Sequence, residues 1–381
     1  MKTLIKNAHI ISPGIDIENG AALVEDGKFV QVYDTGAELP AADETIDAGG
    51  KMMMPGFIDV HSHGAGGADT CDGTVDALKK IAECKAREGV TSYIATTLTL
   101  GYDTLEKVMY AVAEYNKQPH GIKIPGVHLE GPFVNPKMAG AQNPEFLKNP
   151  DYEIVEHLNK IAPVKIITMA IELEGAVDFI AKASALGVRC SAGHSAATNA
   201  QFKAAKAAGL AHLTHFCNQM SPLHHREIGL VGSGLLDSTV KVEVICDTVH
   251  LCPNMLALAF KVLTPERIMM ITDSLACSGL PDGPSSLGGL PIMVKNGEAR
   301  LMSGNLAGST LNYSLGIRNI RKITGLPLSE IVKATSWNQA QSLGYTDLGK
   351  IAPGFTADFV LLGDDFLVTH TYVDGKLVYA K

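Results

Sequence analysis

Apolar and polar positions keep one rhythm at the two ends of the chain and another in between. Over the first fifty residues, TLIKNAHII and AALVEDGKFVQVYD alternate apolar with polar positions, and Gly stands at 14, 20, 27 and 36. Alternation rich in Val and Ile predicts short strands, and EDG at 25–27 predicts a hairpin turn. The last thirty residues have the same rhythm. TADFVLLG precedes FLVTHTYVDGKLVYAK, where VDGK at 373–376 separates two alternating runs. An isolated hairpin is marginal in water, so the two ends are expected to pair into one small β domain built from 1–54 plus 350–381.

Between the ends, short apolar runs alternate with stretches of helical composition. The expected strands are 57–60, 91–98, 124–129, 164–169, 188–192, 211–216, 240–246 and 268–272. VDALKKIAECKAREG, DTLEKVMYAVAEYNK, AVDFIAKASALG and NAQFKAAKAAG read as helices, several closed by a Gly in the manner of a C-cap. Further helices are expected at 311–325 and 327–336. Eight strand–helix units over 55–349 predict a (β/α)8 barrel. A doubly wound open sheet is the alternative, but no GxGxxG follows the first strand to favour it.

Composition narrows the function classes. The chain has 381 residues, 46% hydrophobic and 19% charged, which excludes intrinsic disorder. Its net charge of −8 gives no basic footprint for nucleic acid. No apolar run approaches the length of about 18 residues that suggests a membrane span, and MKTLIKNAHIISPG lacks the apolar centre of a signal peptide. Seven Cys, scattered and without a CxxC pair, fit reduced thiols and a cytoplasmic location. The 13 His are the unusual count, and their placement matters more than their number.

In FIDVHSHG, His61 and His63 stand at i and i+2 at the end of the first barrel strand. Alternate strand residues face the same way, so the two rings can share one metal; the competing reading is a pair of exposed loop histidines. GVHLEGP ends the third strand with His128 and Glu130, where Glu130 could bind metal or merely cap or pair. CSAGHS puts His194 after strand five, and HLTHFCN puts His215 after strand six with His212 on the opposite face. Any one of these is weak evidence. Jointly His61, His63, Glu130, His194 and His215 fall at C-terminal strand ends, where such barrels build their sites. ITDS places Asp273 after strand eight, as a proton shuttle beside metal-bound water or as a plain N-cap. DTVH places His250 after strand seven, within reach of the same face.

FCNQMSPLHHREIG, 216–229, adds the amides Asn218 and Gln219 and a cationic cluster of His224, His225 and Arg226. Arg suits a phosphate through paired hydrogen bonds; pairing with Glu227 is the competing reading. No Cys has a base at motif spacing, and Ser195 lies in no GxSxG elbow, so covalent catalysis by Cys or Ser is disfavoured.

These motifs resemble the amidohydrolase superfamily and, within it, the N-acetylglucosamine-6-phosphate deacetylases. The matching stretches are PGFIDVHSHG (55–64), HLEGPF (128–133), SAGHS (191–195), HLTHFCNQMSPLHHRE (212–227), DTVH (247–250), ITDS (271–274), NLAGST (305–310) and PGFTADFVLL (353–362). They run in family order over nearly the whole chain. The resemblance implies a metal-dependent barrel with a small β-sandwich domain from both termini. It implies that Glu130, His194 and His215 hold a principal divalent metal, zinc by expectation, and that His61 and His63 hold a second ion where one is bound. Strand four ends TMAI without the bridging Lys of many superfamily members, and Glu130 would take that place. Asp273 would be general base and acid, and His250 would polarise the substrate. Substrate contacts would fall on Ala141, Gln142, Asn218, Gln219, Arg226, Asp247, His250, Leu306, Ala307 and Gly308, with Arg226 on the phosphate.

The implied reaction is deacetylation of N-acetyl-D-glucosamine 6-phosphate to D-glucosamine 6-phosphate and acetate. The implied partner is that amino-sugar phosphate, and the family is commonly homodimeric. Two departures stand out: Gln142 replaces the usual His before Asn-Pro, and Thr248 replaces the usual Gly after Asp247. The alternatives are N-acetylgalactosamine 6-phosphate or another N-acyl substrate, or a non-catalytic sugar-phosphate sensor. A sensor has no need of the shuttle Asp273.

Overall fold

The computed structural model describes residues 1–381. Eight parallel strands form a nearly closed barrel: β1 (Phe57–Ser62), β2 (Val90–Thr96), β3 (Val127–Glu130), β4 (Val164–Met169), β5 (Arg189–Ala192), β6 (His212–Leu213), β7 (Lys241–Ile245) and β8 (Ile268–Ile271). Helices cover the outside: α1 (Val75–Arg87), α2 (Tyr102–Tyr115), α3 (Tyr152–Ile161), α4 (Ala176–Ala185), α5 (Asn199–Ala207), α6 (Gly229–Leu236), α7 (Pro253–Val262) and α8 (Tyr313–Thr324). Local chemistry starts several of them. Thr74 accepts the Ala77 N–H ahead of α1, and Thr198 and Gln201 form a capping box ahead of α5.

Ile58, Val60, Ile94, Ile166, Ile245, Met269 and Ile271 fill one continuous apolar cluster inside the barrel. A second, larger cluster lies between strands and helices. The strand interiors are therefore apolar on both faces, which is why their runs are continuous rather than alternating. The functional residues begin where these runs stop.

The strand path runs from β8 through β7 to β1 by backbone ladders, with no ladder between β8 and β1. That seam is closed by single bonds instead. The Asp273 N–H donates to His61 O at 2.9 Å, and the His63 N–H donates to Ser274 O at 2.8 Å.

The two chain ends meet as expected. Phe359–Leu362 pairs antiparallel with Met52–Pro55, joining N-terminal and C-terminal strands in one eight-stranded sheet. Its hairpins turn at Asp26-Gly27 and Asp374-Gly375, all four residues at positive φ. Two consecutive left-handed residues are what a two-residue turn matching the strand twist requires.

One element was not anticipated. After β8, Gly283–Leu287, Leu290–Lys295 and Glu298–Leu301 form a three-stranded antiparallel sheet beside the barrel mouth. Its Asn296-Gly297 turn, also at positive φ, is the same kind of signal as the two turns above. A strand–helix repeat leaves no place for it. Strand six is also shorter than expected, because the chain leaves the ladder at Leu213 to build the site.

Candidate active site

The side chains of interest stand at or within two residues of the ends of β1, β3, β5, β6 and β8. Glu130 closes β3, and its Oε1 lies 3.4 Å from His61 Nε2, 3.2 Å from His194 Nε2 and 3.1 Å from His215 Nε2. Its Oε2 lies 3.3 Å from His63 Nε2. Asp273 Oδ1 approaches the same group from β8, 3.2 Å from His63 Nε2 and 3.6 Å from His61 Nε2. All six residues are buried.

The backbone bends to achieve this. His194, His215 and Asp273 have φ of 49°, 28° and 51°. Left-handed residues other than Gly cost about 1–3 kcal/mol each where the fold forces them, and such strain gathers at functional sites. Asp273 is fastened on both sides, its N–H to His61 O and its carbonyl to the Ser309 N–H at 2.7 Å. Gly308 makes the second bond accessible, because a Cβ there would meet Asp273 O at 2.8 Å.

A further set of groups aims these side chains. The His61 Nδ1–H donates to Glu243 Oε2 at 2.9 Å, and the His194 Nδ1–H donates to Met138 O at 2.8 Å. Each bond selects the tautomer that leaves Nε2 free toward the centre. Glu243 was not singled out from the sequence. Its only signal is a carboxylate within the apolar run KVEVI of β7. His128 is different: its Nδ1–H donates to Val60 O and its Nε2 accepts from Thr168 Oγ1, so both nitrogens are satisfied. Burial, then the neighbouring His61, pushes its pKa well down and keeps it neutral.

The electrostatics separate the acids from the bases. Burial favours the uncharged form of Glu130, but His61 and hydrogen bonds from His194 and His215 hold its carboxyl well below the usual range. Burial likewise opposes ionisation of Asp273, yet His61 and His63 bring it to about 2. Burial disfavours the His63 imidazolium, and Asp273 and Glu130 overcome it, raising its pKa to about 9. At neutral pH both carboxylates are ionised among imidazoles.

The donor set fits a divalent metal. Glu130, His194 and His215 form one group whose ligand atoms lie within 4.8 Å of one another, and His61, His63 and Asp273 form another. His61 Nε2 is buried with no hydrogen-bond partner, and His194 Nε2 faces His215 Nε2 at 3.1 Å. Imidazole nitrogens converging on one another beside carboxylates are poor as a hydrogen-bond network and good as a ligand cage.

The remaining expected residues separate. Ala141, Gln142, Asn218, Gln219, His250 and Leu306 line the cleft beside these groups. Leu98 and Leu287 line it too, the latter from the unforeseen three-stranded sheet. Gln142, expected to face a sugar, is committed at both ends of its amide: Nε2 donates to Glu130 Oε2 and Oε1 accepts the Thr99 N–H. Asp247 lies behind His250, its Oδ2 2.7 Å from His250 Nδ1. Burial lowers the His250 pKa, but Asp247 overrides it and the net shift is upward. Ala307 is fully buried in one apolar cluster with Leu275 and Ile292, and Gly308 packs on the Asp273 backbone; neither is part of the cleft lining. Arg226 is exposed on its loop outside the cleft lining, with Nη1 2.8 Å from His225 Nε2.

Comparison with known proteins places the whole chain among relatives. Residues 52–378 match the model of the amidohydrolase family. The chain is 33% identical over 380 residues to N-acetylglucosamine-6-phosphate deacetylase of Lysinibacillus sphaericus, covering 99% of this chain and 98% of the relative. It is 35% identical over 343 residues to N-acetylgalactosamine-6-phosphate deacetylase of Escherichia coli O157:H7, covering 89% and 90%. Among solved structures, a mutant of N-acetyl-D-glucosamine-6-phosphate deacetylase from Mycobacterium smegmatis, in complex with N-acetyl-D-glucosamine-6-phosphate, superposes with a TM-score of 0.93. It shares 31% identity, with 100% of both chains covered. With its barrel, its His/Glu/Asp cluster at the strand ends and these full-length likenesses, the chain belongs to the amidohydrolase family.

Proposed function

We propose that the chain deacetylates N-acetyl-D-glucosamine 6-phosphate, releasing D-glucosamine 6-phosphate and acetate. The observation that carries this reading is the Asp273 carboxylate, ionised and 3.2 Å from His63 Nε2, at the edge of the Glu130, His194 and His215 group. Glu130, His194 and His215 would hold a principal divalent ion, zinc by preference, and His61 and His63 a second where two are bound. Such an ion supplies Lewis acidity and lowers the pKa of water toward neutrality.

The chain's own groups do the rest. Asp273 takes the proton of the attacking water and returns it to the departing amine nitrogen, as one carboxylate serving as base and then acid. His250 donates its Nδ1–H to Asp247, and as the imidazolium it has its Nε2–H left to donate to the acetamide carbonyl oxygen. Asn218 and Gln219 offer amide groups to sugar hydroxyls at the cleft wall. Arg226, exposed on the loop after β6, is assigned the phosphate. At Gln142 the cleft offers substrate a neutral amide rather than a charge. A homodimer in the cytoplasm belongs to the same proposal.

Acetate release tests it. Purified protein is assayed on N-acetylglucosamine 6-phosphate, its galacto epimer and the unphosphorylated sugar, with metal analysis of the same sample. The gluco phosphate is expected to turn over with the highest kcat/KM. Preference for the galacto epimer moves the assignment to that substrate, for which the Escherichia coli relative is named. Absence of acetate from every sugar refutes deacetylation. Arg226→Ala is expected to lose activity only toward phosphorylated sugars.

A further inference from the structure

Lys85 is the one lysine whose side chain is wholly enclosed, and it projects from α1 into the open seam between β1 and β8. Its Nζ donates to Asp59 Oδ2 at 3.0 Å, Thr272 Oγ1 at 3.0 Å and Ser274 Oγ at 2.9 Å, with Glu88 Oε2 at 3.5 Å. Asp59 lies on β1, two residues before His61. Thr272 and Ser274 flank Asp273 after β8. The ammonium thus touches both strands that lack a ladder.

The partners of Lys85 carry the link onward. Asp59 Oδ2 accepts the Thr272 hydroxyl at 2.6 Å, and Asp59 Oδ1 accepts the Thr272 N–H at 3.3 Å and the His61 N–H at 3.4 Å. Ser274 Oγ donates to Gly64 O at 2.9 Å and lies 2.8 Å from Ser62 Oγ. Nearer the other end of the strands, the Tyr313 hydroxyl of α8 spans the same seam, donating to Met270 O at 2.8 Å and lying 3.4 Å from Ile58 O. Lys85 does so at the level of His61, His63 and Asp273. A buried ammonium is expensive unless paired and fully hydrogen-bonded, and here it is both. Nothing in the chemistry of amide hydrolysis uses a cation in that place, below the cleft and out of reach of substrate.

We infer that Lys85 is a positioning residue: it holds the seam so that Asp273 stands at the right distance from His61 and His63. The inference deepens the deacetylase reading and rests on it for the catalytic readout. Misplacing a reacting group by an ångström costs turnover on the order of 100-fold. Loss of Lys85 is therefore expected in kcat rather than KM, and in metal affinity.

Lys85→Met alone leaves Asp59 buried and unpaired and can fail to fold. The test therefore uses Lys85→Met with Asp59→Asn, which removes the ammonium and the Asp59 carboxylate and leaves Glu88 with the Tyr313 N–H, and Thr272→Val, which removes one acceptor at constant volume. Lys123→Met is the control. It breaks an ion pair with the buried Asp358 and the exposed Asp374 ahead of β3, at the strand ends opposite the His/Glu/Asp cluster. Each protein is assayed for kcat, KM and Tm, and metal-stripped protein is titrated with Co2+. The expected result is a kcat loss on the order of 10–100-fold in the double variant, with KM within about twofold. Co2+ affinity should fall about tenfold or more alongside it. Thr272→Val should move both in the same direction by less, and Lys123→Met should lower Tm alone. A double variant that loses Tm while kcat and Co2+ affinity stay with the parent overturns the inference, as does Thr272→Val indistinguishable from the parent. A parent that releases no acetate refutes the deacetylase reading instead, and Co2+ affinity then decides the role of Lys85 by itself.

Discussion

Gln142 donates from Nε2 to Glu130 Oε2 at 2.5 Å while its Oε1 accepts the Thr99 N–H at 2.7 Å. The residue that the family resemblance points toward substrate thereby also braces Glu130, a candidate metal ligand. Groups of this kind, which orient ligands without touching the ion, typically matter about 10–100-fold in affinity. Gln142→Leu is expected to weaken metal binding by about that factor, with KM at saturating metal changed by less than about twofold. Chelator competition and steady-state kinetics check it. Unchanged metal affinity with a raised KM would return Gln142 to the sugar.

Asp273→Asn keeps the shape of the side chain and removes the proton acceptor. Turnover should fall by about 10²–10⁴-fold while the Glu130, His194 and His215 group keeps its metal. Metal analysis and kinetics on one preparation decide it, and near-normal turnover sinks the assigned role.

Asp247→Asn should act through His250. The carboxylate raises the His250 pKa and fixes its ring, so the amide loses both effects. The basic limb of the kcat/KM profile that reports His250 should move to lower pH, and kcat should drop about 10-fold or more. A profile identical to the parent shows that His250 does not titrate in the reaction.

Metal removal should cost stability as well as activity. Without an ion, like groups face one another at the strand ends, as His194 and His215 do at 3.1 Å. Binding to the folded state alone stabilises by about 2.7 kcal/mol at a hundredfold excess over Kd. Tm of the stripped protein should therefore rise with the logarithm of added Zn2+. A Tm indifferent to metal argues against a site made of these residues.

Asp237 sets an acid limit remote from the cleft. Burial raises its pKa, but Lys206 and the N–H groups of Val240 and Thr239 bring it to about 2. An unfolded Asp titrates near about 3.9, so the folded form holds the proton less tightly. Its stabilising contribution is present above about pH 4 and disappears as the pH falls through about 2. Asp237→Asn should lower Tm at neutral pH, and the gap to the parent should close on acidification. A gap that stays constant from about pH 6 to about pH 2 rules this out.

Much of this molecule is written in local patterns. Periodicity and composition predicted eight barrel strands, and the likeness of the two ends with each one's need of a partner sheet predicted their pairing, because strand pitch and turn chemistry are set by neighbouring residues such as Asp26-Gly27. The candidate ligands were legible for the same reason: HxH and the strand-end Glu130, His194, His215 and Asp273 fall at the same ends of their strands. What local sequence did not carry was any relation between strands. Glu243 and Lys85 look like ordinary charged residues until β7 and α1 bring them to His61 and to the seam. Gln142, Asp247, Ala307 and Gly308 all lie in or beside the motifs, but only packing showed that Gln142 braces Glu130, that Asp247 braces His250, and that Ala307 and Gly308 pack behind the cleft. A side chain's neighbours within its strand follow from the order of the chain; its neighbours across a barrel depend on how eight strands close around one axis.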